Sequence, residues 1–339
     1  MEVPLALLVA VVVIALVFDF TNGFHDAANA IATVVSTHAM TLKSALIMAA
    51  VMNVAGAFFA TEVATTIEKG IVRDVGTPIN AQLIVLSALV GAIAWNITTW
   101  YFGMPSSSSH AIVGGLVGAG VTYGHAHGVI WTSIMDKVLI PMLLSPIFGA
   151  LVAAFIMGVI YLIFLLIRQE RQEHIFRPLQ IMAGAIMAFS HGSNDAQKTM
   201  GVITLALIGG RMLPANSPIP WWVVILCAVT MGLGTLAGGR RIIETTGKKI
   251  TILDQENGFA ANIGASITIL LCSRFGLPVS TTHVVIGCIT GAGMVRDHRK
   301  INFGTWGSML VAWICTIPGA AGFAVVTYLV LERFLVPLL

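Results

Sequence analysis

Charged residues are scarce in this sequence. Asp, Glu, Lys and Arg together make up 10% of its 339 residues, whereas a water-soluble domain normally carries about 25%. Hydrophobic residues make up 57%, and the mean hydropathy is +0.92. This composition excludes an ordinary soluble domain, because it supplies too little polar surface to face water. The chain is therefore predicted to lie in a lipid bilayer.

Cysteine is also rare, and common catalytic motifs are absent. The cysteines are scattered in apolar segments without CxxC spacing, which excludes the usual zinc and redox motifs; they are Cys227, Cys272, Cys288 and Cys315. The sequence contains no GxSxG or HExxH pattern. Ser109 and His110 are adjacent and cannot face each other on a helix as nucleophile and base. The sequence therefore predicts no enzyme, no resident cofactor and no certain metal site.

Long apolar stretches dominate the chain. About 20 apolar residues, with a range of roughly 17 to 25, cross the hydrocarbon core of a bilayer as a helix. Stretches of this kind occupy residues 3–20, 44–61, 80–102, 138–167, 221–239, 255–275 and 304–332. The first lacks the basic start and small-residue cleavage site of a signal peptide, so it is predicted to remain as a spanning helix. The predicted fold class is an all-α polytopic membrane protein.

Two motifs occur twice in the same order. Residues 20–30 read FTNGFHDAANA and residues 189–199 read FSHGSNDAQKT; residues 103–115 read GMPSSSSHAIVGG and residues 276–288 read GLPVSTTHVVIGC. The shift is 169 residues from Asp26 to Asp195 and 173 from Pro105 to Pro278. Such nearly constant shifts indicate two diverged copies of one membrane unit. Matching interruptions in duplicated apolar halves are typical of secondary transporters, in which they mark the binding site.

The duplication divides the chain into two parts. We assign residues 1–167 to an N-terminal transmembrane repeat, residues 168–177 to a cytoplasmic connector, and residues 178–339 to a C-terminal transmembrane repeat. Residues 5–37 and 181–209 are each expected to cross once as a broken helix. Each proline-containing interruption is expected to join two re-entrant arms that return to their starting side.

The distribution of basic residues predicts the orientation of the copies. With these crossings, eleven basic residues fall on one side and five on the other, and the five are Lys69, Arg73, Lys137, Arg211 and Arg333. The positive-inside rule makes the side with eleven cytoplasmic. The two copies then insert with opposite orientation, as inverted repeats. Because the basic residues lie in separate short loops, binding of nucleic acid is not expected.

Hydroxyl side chains follow each proline-containing interruption. Pro105 precedes four serines and Pro278 precedes three further hydroxyl residues; these are Ser106, Ser107, Ser108 and Ser109, and Ser280, Thr281 and Thr282. A helix start attracts anions through free backbone N–H groups and a positive dipole end. Two opposed starts are therefore predicted to bind one tetrahedral oxyanion. Ordinary capping is the alternative, and His110 and His283 are interpreted as interhelical hydrogen-bonding partners.

Aspartates at bilayer depth mark the other repeated motif. An ionised carboxylate there costs about 2.5 to 3.5 kcal/mol, so Asp26 and Asp195 each need a cation, a proton or a donor. The predicted site for the coupling cation or proton comprises both aspartates with Asn22, His25, Asn29 and Asn194. Gln197 and Lys198 are grouped with the oxyanion ligands, although a salt bridge from Lys198 to Asp195 is the interpretation that we favour. The alternative is a structural role for both aspartates.

At these four motifs the chain resembles the PiT family of inorganic phosphate transporters, over nearly its whole length. Residues 192–196 read Gly-Ser-Asn-Asp-Ala and keep the family's Gly-Asn-Asp-like pattern closely, whereas the first copy has His25 where asparagine is usual in sodium-coupled members. The resemblance implies a homodimeric symporter that imports inorganic phosphate by alternating access, in the bacterial cytoplasmic (inner) membrane. His25 makes the chain similar to the low-affinity bacterial branch, in which protons drive uptake and phosphate can travel with a divalent metal.

Three alternatives remain open beside proton-coupled phosphate import. They are a sodium-coupled phosphate symporter, a sulfate transporter and a divalent-metal transporter. The family includes relatives that carry sulfate, and Asp and His side chains suit metal ions. A site for metal alone would leave the duplicated hydroxyl-rich helix starts without a role.

Overall fold

The computed structural model describes residues 4–73, 77–164, 169–238 and 253–338, without the side chains of residues 169–173, 300, 303 and 338. Within these ranges the regular structure is helical, apart from one isolated antiparallel bridge between Val72 and Val129. The all-α fold class is thereby confirmed.

The described residues of the first half contain seven α-helices. They are α1 Leu5–Ser36, α2 Leu42–Ala57, α3 Glu62–Gly70, α4 Pro78–Tyr101, α5 Ser108–Gly124, α6 Trp131–Ser133 and α7 Ile140–Phe164. A 3₁₀ turn, His125–Gly128, follows α5, and a π-helical segment, Ile134–Leu139, connects α6 to α7. Trp131–Phe164 is therefore one uninterrupted helical segment.

The described residues of the second half contain five α-helices. They are α8 Gln169–Gly209, α9 Trp221–Ala237, α10 Gln255–Arg274, α11 Thr281–Asp297 and α12 Phe303–Phe334. Short 3₁₀ turns, His298–Lys300 and Val336–Leu338, precede and follow α12. Residues 165–168 lie outside the described ranges, and the rest of the predicted connector, residues 169–177, is the first part of α8. The division into two repeats stays a prediction.

Among the described residues, four helical segments are long and apolar enough to cross a bilayer: Leu5–Ser36, Pro78–Tyr101, Trp131–Phe164 and Gly304–Phe334. α2 and α3 together form a fifth candidate span, bent by 68° at its break. The predicted stretches at 221–239 and 255–275 form α9 and α10. Large apolar side chains such as Phe155 and Trp221 are exposed on the outer surface, as a surface in contact with lipid requires.

The helices that carry the two aspartates are continuous, so the expectation of broken helices at 5–37 and 181–209 was wrong. α1 runs without interruption through Asp26, and α8 through Asp195. The motif glycines allow close packing instead. A Cβ on Gly23 would lie 2.6 Å from a backbone oxygen of α9, and one on Gly192 would lie 2.2 Å from a backbone oxygen of α2. Continuous helices also keep every backbone group hydrogen-bonded inside the bilayer.

Each half places its last long helix against the other half. α12 packs on α4 and α5, whereas α7 packs on α10 and α11. The first helices are exchanged in the same way, since α1 packs on α9, α8 packs on α2, and α1 and α8 contact each other. Each of these contacts has a counterpart when the two halves are interchanged. This interlocking brings α1, α5, α8 and α11, which contain the repeated motifs, together in the interior.

Candidate functional site

Two polar stripes meet where α1 packs on α8. Both follow the i, i+4, i+7 spacing that places side chains on one helix face; they consist of Asn22, Asp26 and Asn29 in α1 and of His191, Asp195 and Lys198 in α8. All six residues are at most 2% exposed. Two carboxylates and one ammonium group therefore lie in the interior of a membrane protein, where each charge needs a partner.

The two proline-containing interruptions are present as helix breaks. α4 ends at Tyr101 and α5 begins at Ser108, and α10 ends at Arg274 and α11 begins at Thr281. Their starts are capped alike. The Ser107 hydroxyl accepts from the backbone N–H of residue 110, and the Ser280 hydroxyl from that of residue 283, each at 3.2 Å. Capping, the alternative role for these hydroxyls, thus applies to one residue in each set of hydroxyls.

The two helix starts touch each other. The Ser109 hydroxyl of α5 donates to the Val279 carbonyl oxygen, two residues before α11, at 3.0 Å. The imidazole rings of His110 and His283 have centroids 4.8 Å apart. In the described part of the chain neither ring nitrogen of His110 has a hydrogen-bonding partner. The His283 ring stacks on the Trp313 ring, with their centroids 3.7 Å apart. The histidines therefore make ring contacts rather than the interhelical hydrogen bonds that we expected.

Asp26 is connected directly to the start of α5. One carboxylate oxygen lies 2.8 Å from Nδ1 of His25, and the other accepts from the Ser108 hydroxyl. The same hydroxyl oxygen lies 2.5 Å from the amide oxygen of Asn22. Because a serine hydroxyl has one proton to donate, the two acceptors compete for it. His25 Nε2 lies 3.2 Å from the Thr99 hydroxyl of α4.

Asp195 is paired with Lys198, as the favoured interpretation predicts. The ammonium group contacts Oδ1 of Asp195 and also donates to the Ser109 hydroxyl. His191 Nε2 lies 3.4 Å from Oδ2 of Asp195. All these side chains are buried, so the ion pair compensates two charges that would otherwise be costly. Lys198 therefore touches both the carboxylate and the hydroxyl-rich helix start.

Each hydroxyl-rich helix start accepts hydrogen bonds from the first long helix of the opposite half of the chain. Lys198 of α8 donates to Ser109 of α5. The Asn29 amide of α1 donates to Thr282 and Thr281 of α11, at 2.8 and 3.3 Å. Asn29 and Lys198 occupy equivalent positions in the two motifs, as do Ser109 and Thr282. The site is therefore built twice, with matching donors.

Gln197 has a different set of contacts from those predicted. Its side-chain oxygen accepts from the backbone N–H groups of Val63 and Ala64, at 2.9 and 3.3 Å, and its amide nitrogen donates to the Ser193 carbonyl. These N–H groups begin α3, which has no side-chain cap of its own. In the structure Gln197 therefore caps α3, and its grouping with the oxyanion ligands stays a prediction.

Two further predicted residues lie beside the site. The Asn194 amide donates to the Ser273 hydroxyl at 2.8 Å, near the end of α10. The Ser106 hydroxyl lies 2.8 Å from that of Thr99 and 3.5 Å from His25 Nε2. Both residues connect the repeated motifs to the ends of α4 and α10, next to the helix breaks.

Sequence reasoning missed two partners of the motif histidines. Asn53 of α2 lies 3.0 Å from Nδ1 of His191 and also donates to Thr235 of α9, while Thr99 contacts His25. In the sequence, the one indication of a role for Asn53 or Thr99 was that each is a polar residue inside an apolar stretch. Such residues are common in membrane helices, so only the packing of the helices reveals these two as neighbours of the site.

One group of potential metal ligands spans the contact between α1 and α8. Ligand atoms of Asp26, His191 and Asp195 all lie within 4.8 Å of one another. Oδ2 of Asp195 and Nε2 of His191 have no hydrogen-bonding partner among the described residues. Two carboxylates and an imidazole are ligands that divalent metals accept.

Comparison with known proteins gives consistent results. The model of the phosphate transporter family matches residues 22–324. A protein of Bacillus subtilis (strain 168), described as "Probable low-affinity inorganic phosphate transporter", is 42% identical over 332 residues, which cover 98% of this chain and 99% of that protein. A Rhizobium meliloti (strain 1021) protein of the same description is 42% identical over 323 residues, which cover 95% and 96%.

A solved structure is also similar over almost its full length. It is titled "The sodium-dependent phosphate transporter" and superposes with a TM-score of 0.91 at 26% identity, covering 97% of this chain and 100% of that one. These proteins are all described as transporters, which agrees with the prediction that the chain is not an enzyme.

Proposed function

Because the chain belongs to the phosphate transporter family, we propose that it is a secondary active symporter that imports inorganic phosphate with protons by alternating access. The family and the spanning helices make it a multi-pass membrane protein. The proposal places it in the bacterial cytoplasmic membrane as a homodimer. The observation that supports it most is the start of α5, where adjacent Ser108 and Ser109 contact Asp26 and Lys198 respectively.

Phosphate binds between the starts of α5 and α11 in this proposal. The N–H groups of residues 108, 109, 281 and 282 open the first turns of these helices, where no intrahelical acceptor is available. Side-chain donors surround them, namely the hydroxyls of Ser108, Ser109, Thr281 and Thr282, the Asn29 amide and the Lys198 ammonium. At present Asn29 is hydrogen-bonded to Thr281 and Thr282 and Lys198 to Ser109, and Ser109 links the two helix starts through the Val279 carbonyl oxygen. Hydrogen bonds from these donors to an oxyanion are stronger than hydrogen bonds between neutral groups.

Proton coupling follows from the single hydroxyl proton of Ser108. Two acceptors, Asp26 and Asn22, compete for that proton in the structure. A protonated Asp26 becomes a donor itself, so Ser108 is free to donate to phosphate. Ionised Asp26 instead retains the hydroxyl and repels the anion. Binding of the proton and binding of phosphate therefore favour each other, which is the thermodynamic requirement for symport.

The position of His25 favours protons over sodium. Its Nδ1 lies 2.8 Å from Asp26, so a group that binds protons is already in contact with this carboxylate. The second aspartate has the Lys198 ammonium as its cation. A sodium ion at Oδ1 of either aspartate would have to displace one of these partners. Sodium coupling, described for the similar solved structure, is the alternative to be tested.

Alternating access follows if the two halves have inverted topology. In the interlocked packing, α7 lies against the second half and α12 lies against the first half, so each contact in one half has a counterpart in the other. Inverted repeats can exchange conformations around a fixed central site. The helix starts of α5 and α11, which touch at Ser109 and Val279, lie between the halves at that centre.

Uptake of labelled phosphate into proteoliposomes tests this function. An inward proton gradient should drive accumulation without sodium, and a protonophore should abolish it. A strict sodium requirement would favour the alternative symporter, and equal uptake of labelled sulfate that phosphate does not inhibit would reject phosphate as the preferred oxyanion.

A metal–phosphate complex is the second candidate substrate. It is favoured by the cluster of Asp26, His191 and Asp195, whose ligand atoms lie within 4.8 Å of one another. Uptake of phosphate should then require a divalent metal and stop with EDTA, and labelled metal should enter only with phosphate. His191→Gln should remove the metal requirement or the uptake. Metal uptake without phosphate would instead indicate a divalent-metal transporter.

A further inference from the structure

A cavity of about 780 Å³ lies among the ends of α3, α4 and α8. Its lining has a basic part and an apolar part. Among the described residues that line it, the basic ones are Lys69, Arg73 and Arg211, and the acidic one is Glu68. Apolar residues, including Ile84, Val85 and Leu205, form the rest of the wall.

The three basic residues form the rim of this cavity. Lys69, Arg73 and Arg211 are exposed, whereas Glu68 is only 8% exposed and lies in the wall. The Lys69 ammonium donates to the Asn216 side chain at 2.9 Å, which ties α3 to the segment after α8. Within the described lining, three cations and one acid leave an excess of positive charge. Charges of one sign around a concave surface concentrate the opposite ions there.

From its rim, the cavity extends along α4 and α8 in the direction of the proposed phosphate site. Val85 lies eight residues beyond Thr77 along α4, so the wall extends about 12 Å from the rim along this helix. Leu205 of the wall lies seven residues from Lys198 along α8, a distance of about 10 Å. One helix therefore connects the cavity to the ammonium group at the start of α5.

We propose that this cavity is an outer vestibule in which Lys69, Arg73 and Arg211 recruit free phosphate before it reaches the central site. The inference rests on the proposed function, and on the predicted topology, which places all three residues on the outer side. Phosphate at the rim is held loosely by exposed cations, so the vestibule raises the rate of capture. The maximal transport rate is unaffected, because the rim does not take part in later steps.

Matched double variants test the vestibule. Arg73→Gln with Arg211→Gln removes two rim charges, and Lys137→Gln with Arg333→Gln removes two exposed charges that do not line the cavity. At low ionic strength the rim variant should lose about tenfold in kcat/KM for phosphate uptake, with kcat unchanged. The loss should shrink as salt is added. The control variant and Arg73→Lys with Arg211→Lys should behave like the parent protein.

Several results would overturn the vestibule. Equal losses in the rim and control variants, or a loss of kcat alone, would show that the rim charges do not recruit phosphate. A loss confined to efflux would put the cavity on the inner side. A loss seen only in vesicles with anionic lipid, and absent in zwitterionic lipid, would assign the rim to a lipid phosphate group. Failure of the parent protein to take up phosphate would instead reject the proposed function.

Discussion

The buried pair of Lys198 and Asp195 allows folding and transport to be separated. Both residues are 0% exposed, and the ammonium contacts the carboxylate and the Ser109 hydroxyl. Removal of one partner from a buried ion pair costs about 3 to 5 kcal/mol, because the other charge remains uncompensated. Lys198→Met and Asp195→Asn should each destabilise the protein by that amount. His191, at 3.4 Å, and Asp26, with a carboxylate oxygen within 4.8 Å, are other ionisable groups described at this carboxylate.

The double variant should recover most of the stability. With Met at 198 and Asn at 195 no charge is left unpaired, so the remaining cost is that of lost hydrogen bonds, about 1 kcal/mol each. Transport should nevertheless be absent in both single variants and in the double variant, since Lys198→Met removes the ammonium group from the proposed phosphate site and Asp195→Asn removes the carboxylate that this ammonium contacts. A purely structural pair would behave differently, because restored folding would then restore uptake.

Two measurements check this prediction. In thermal unfolding of the purified protein, the double variant should be more stable than either single variant. Phosphate uptake into proteoliposomes should be near zero for all three variants. Lys43→Met, at an exposed lysine of α2, controls for loss of a positive charge and should leave both properties unchanged. Substantial uptake by the double variant would refute the functional role of the pair.

Three further predictions concern the other site residues. Asp26→Asn should abolish concentrative phosphate uptake while the protein still inserts, because the carboxylate that binds the coupling proton is lost; proton-driven uptake measures this. Ser108→Ala with Thr281→Ala should raise the KM for phosphate at least tenfold, since hydrogen bonds to charged groups contribute about 1.5 to 3 kcal/mol each. Gln197→Ala should lower stability by about 1 to 2 kcal/mol through loss of the α3 cap, with the KM unchanged in uptake assays.

Each of these predictions has its own control. Asp136→Asn removes an exposed aspartate and should transport normally, and accumulation by Asp26→Asn would rule out its coupling role. An unchanged KM in the Ser108 and Thr281 double variant would reject the helix starts as the phosphate site. Gln255→Ala, at a half-buried glutamine in the first turn of α10, should retain stability, whereas a strongly raised KM in Gln197→Ala would support the grouping of Gln197 with the substrate ligands.

The helix starts were predictable because capping is local. A proline followed by hydroxyl residues predicted helix breaks at Pro105 and Pro278, and Ser107 and Ser280 cap α5 and α11 in the structure. The family was likewise predictable from four motifs in order. The expectation of broken helices at the aspartate motifs was wrong, because Gly23 and Gly192 could equally serve unwinding or close packing, and the sequence does not distinguish these uses.

Other features depend on residues that are far apart in the chain. Gln197 follows the aspartate motif directly, yet its side chain caps α3, more than 130 residues earlier. Asn53 and Thr99 become neighbours of His191 and His25 only because α2 packs on α8 and α4 packs on α1. No repeat or motif in the sequence indicates these contacts.

By itself the sequence determined the membrane environment and the places where helices α5 and α11 begin, since hydropathy and capping depend on residues close together in the chain. The tertiary structure alone decided that α7 and α12 are exchanged between the halves, that Ser108 and Ser109 contact the groups of both aspartate motifs, and that three basic residues share one cavity. These arrangements follow from the packing of whole helices against one another, in which shape and close approach act between residues distant in sequence.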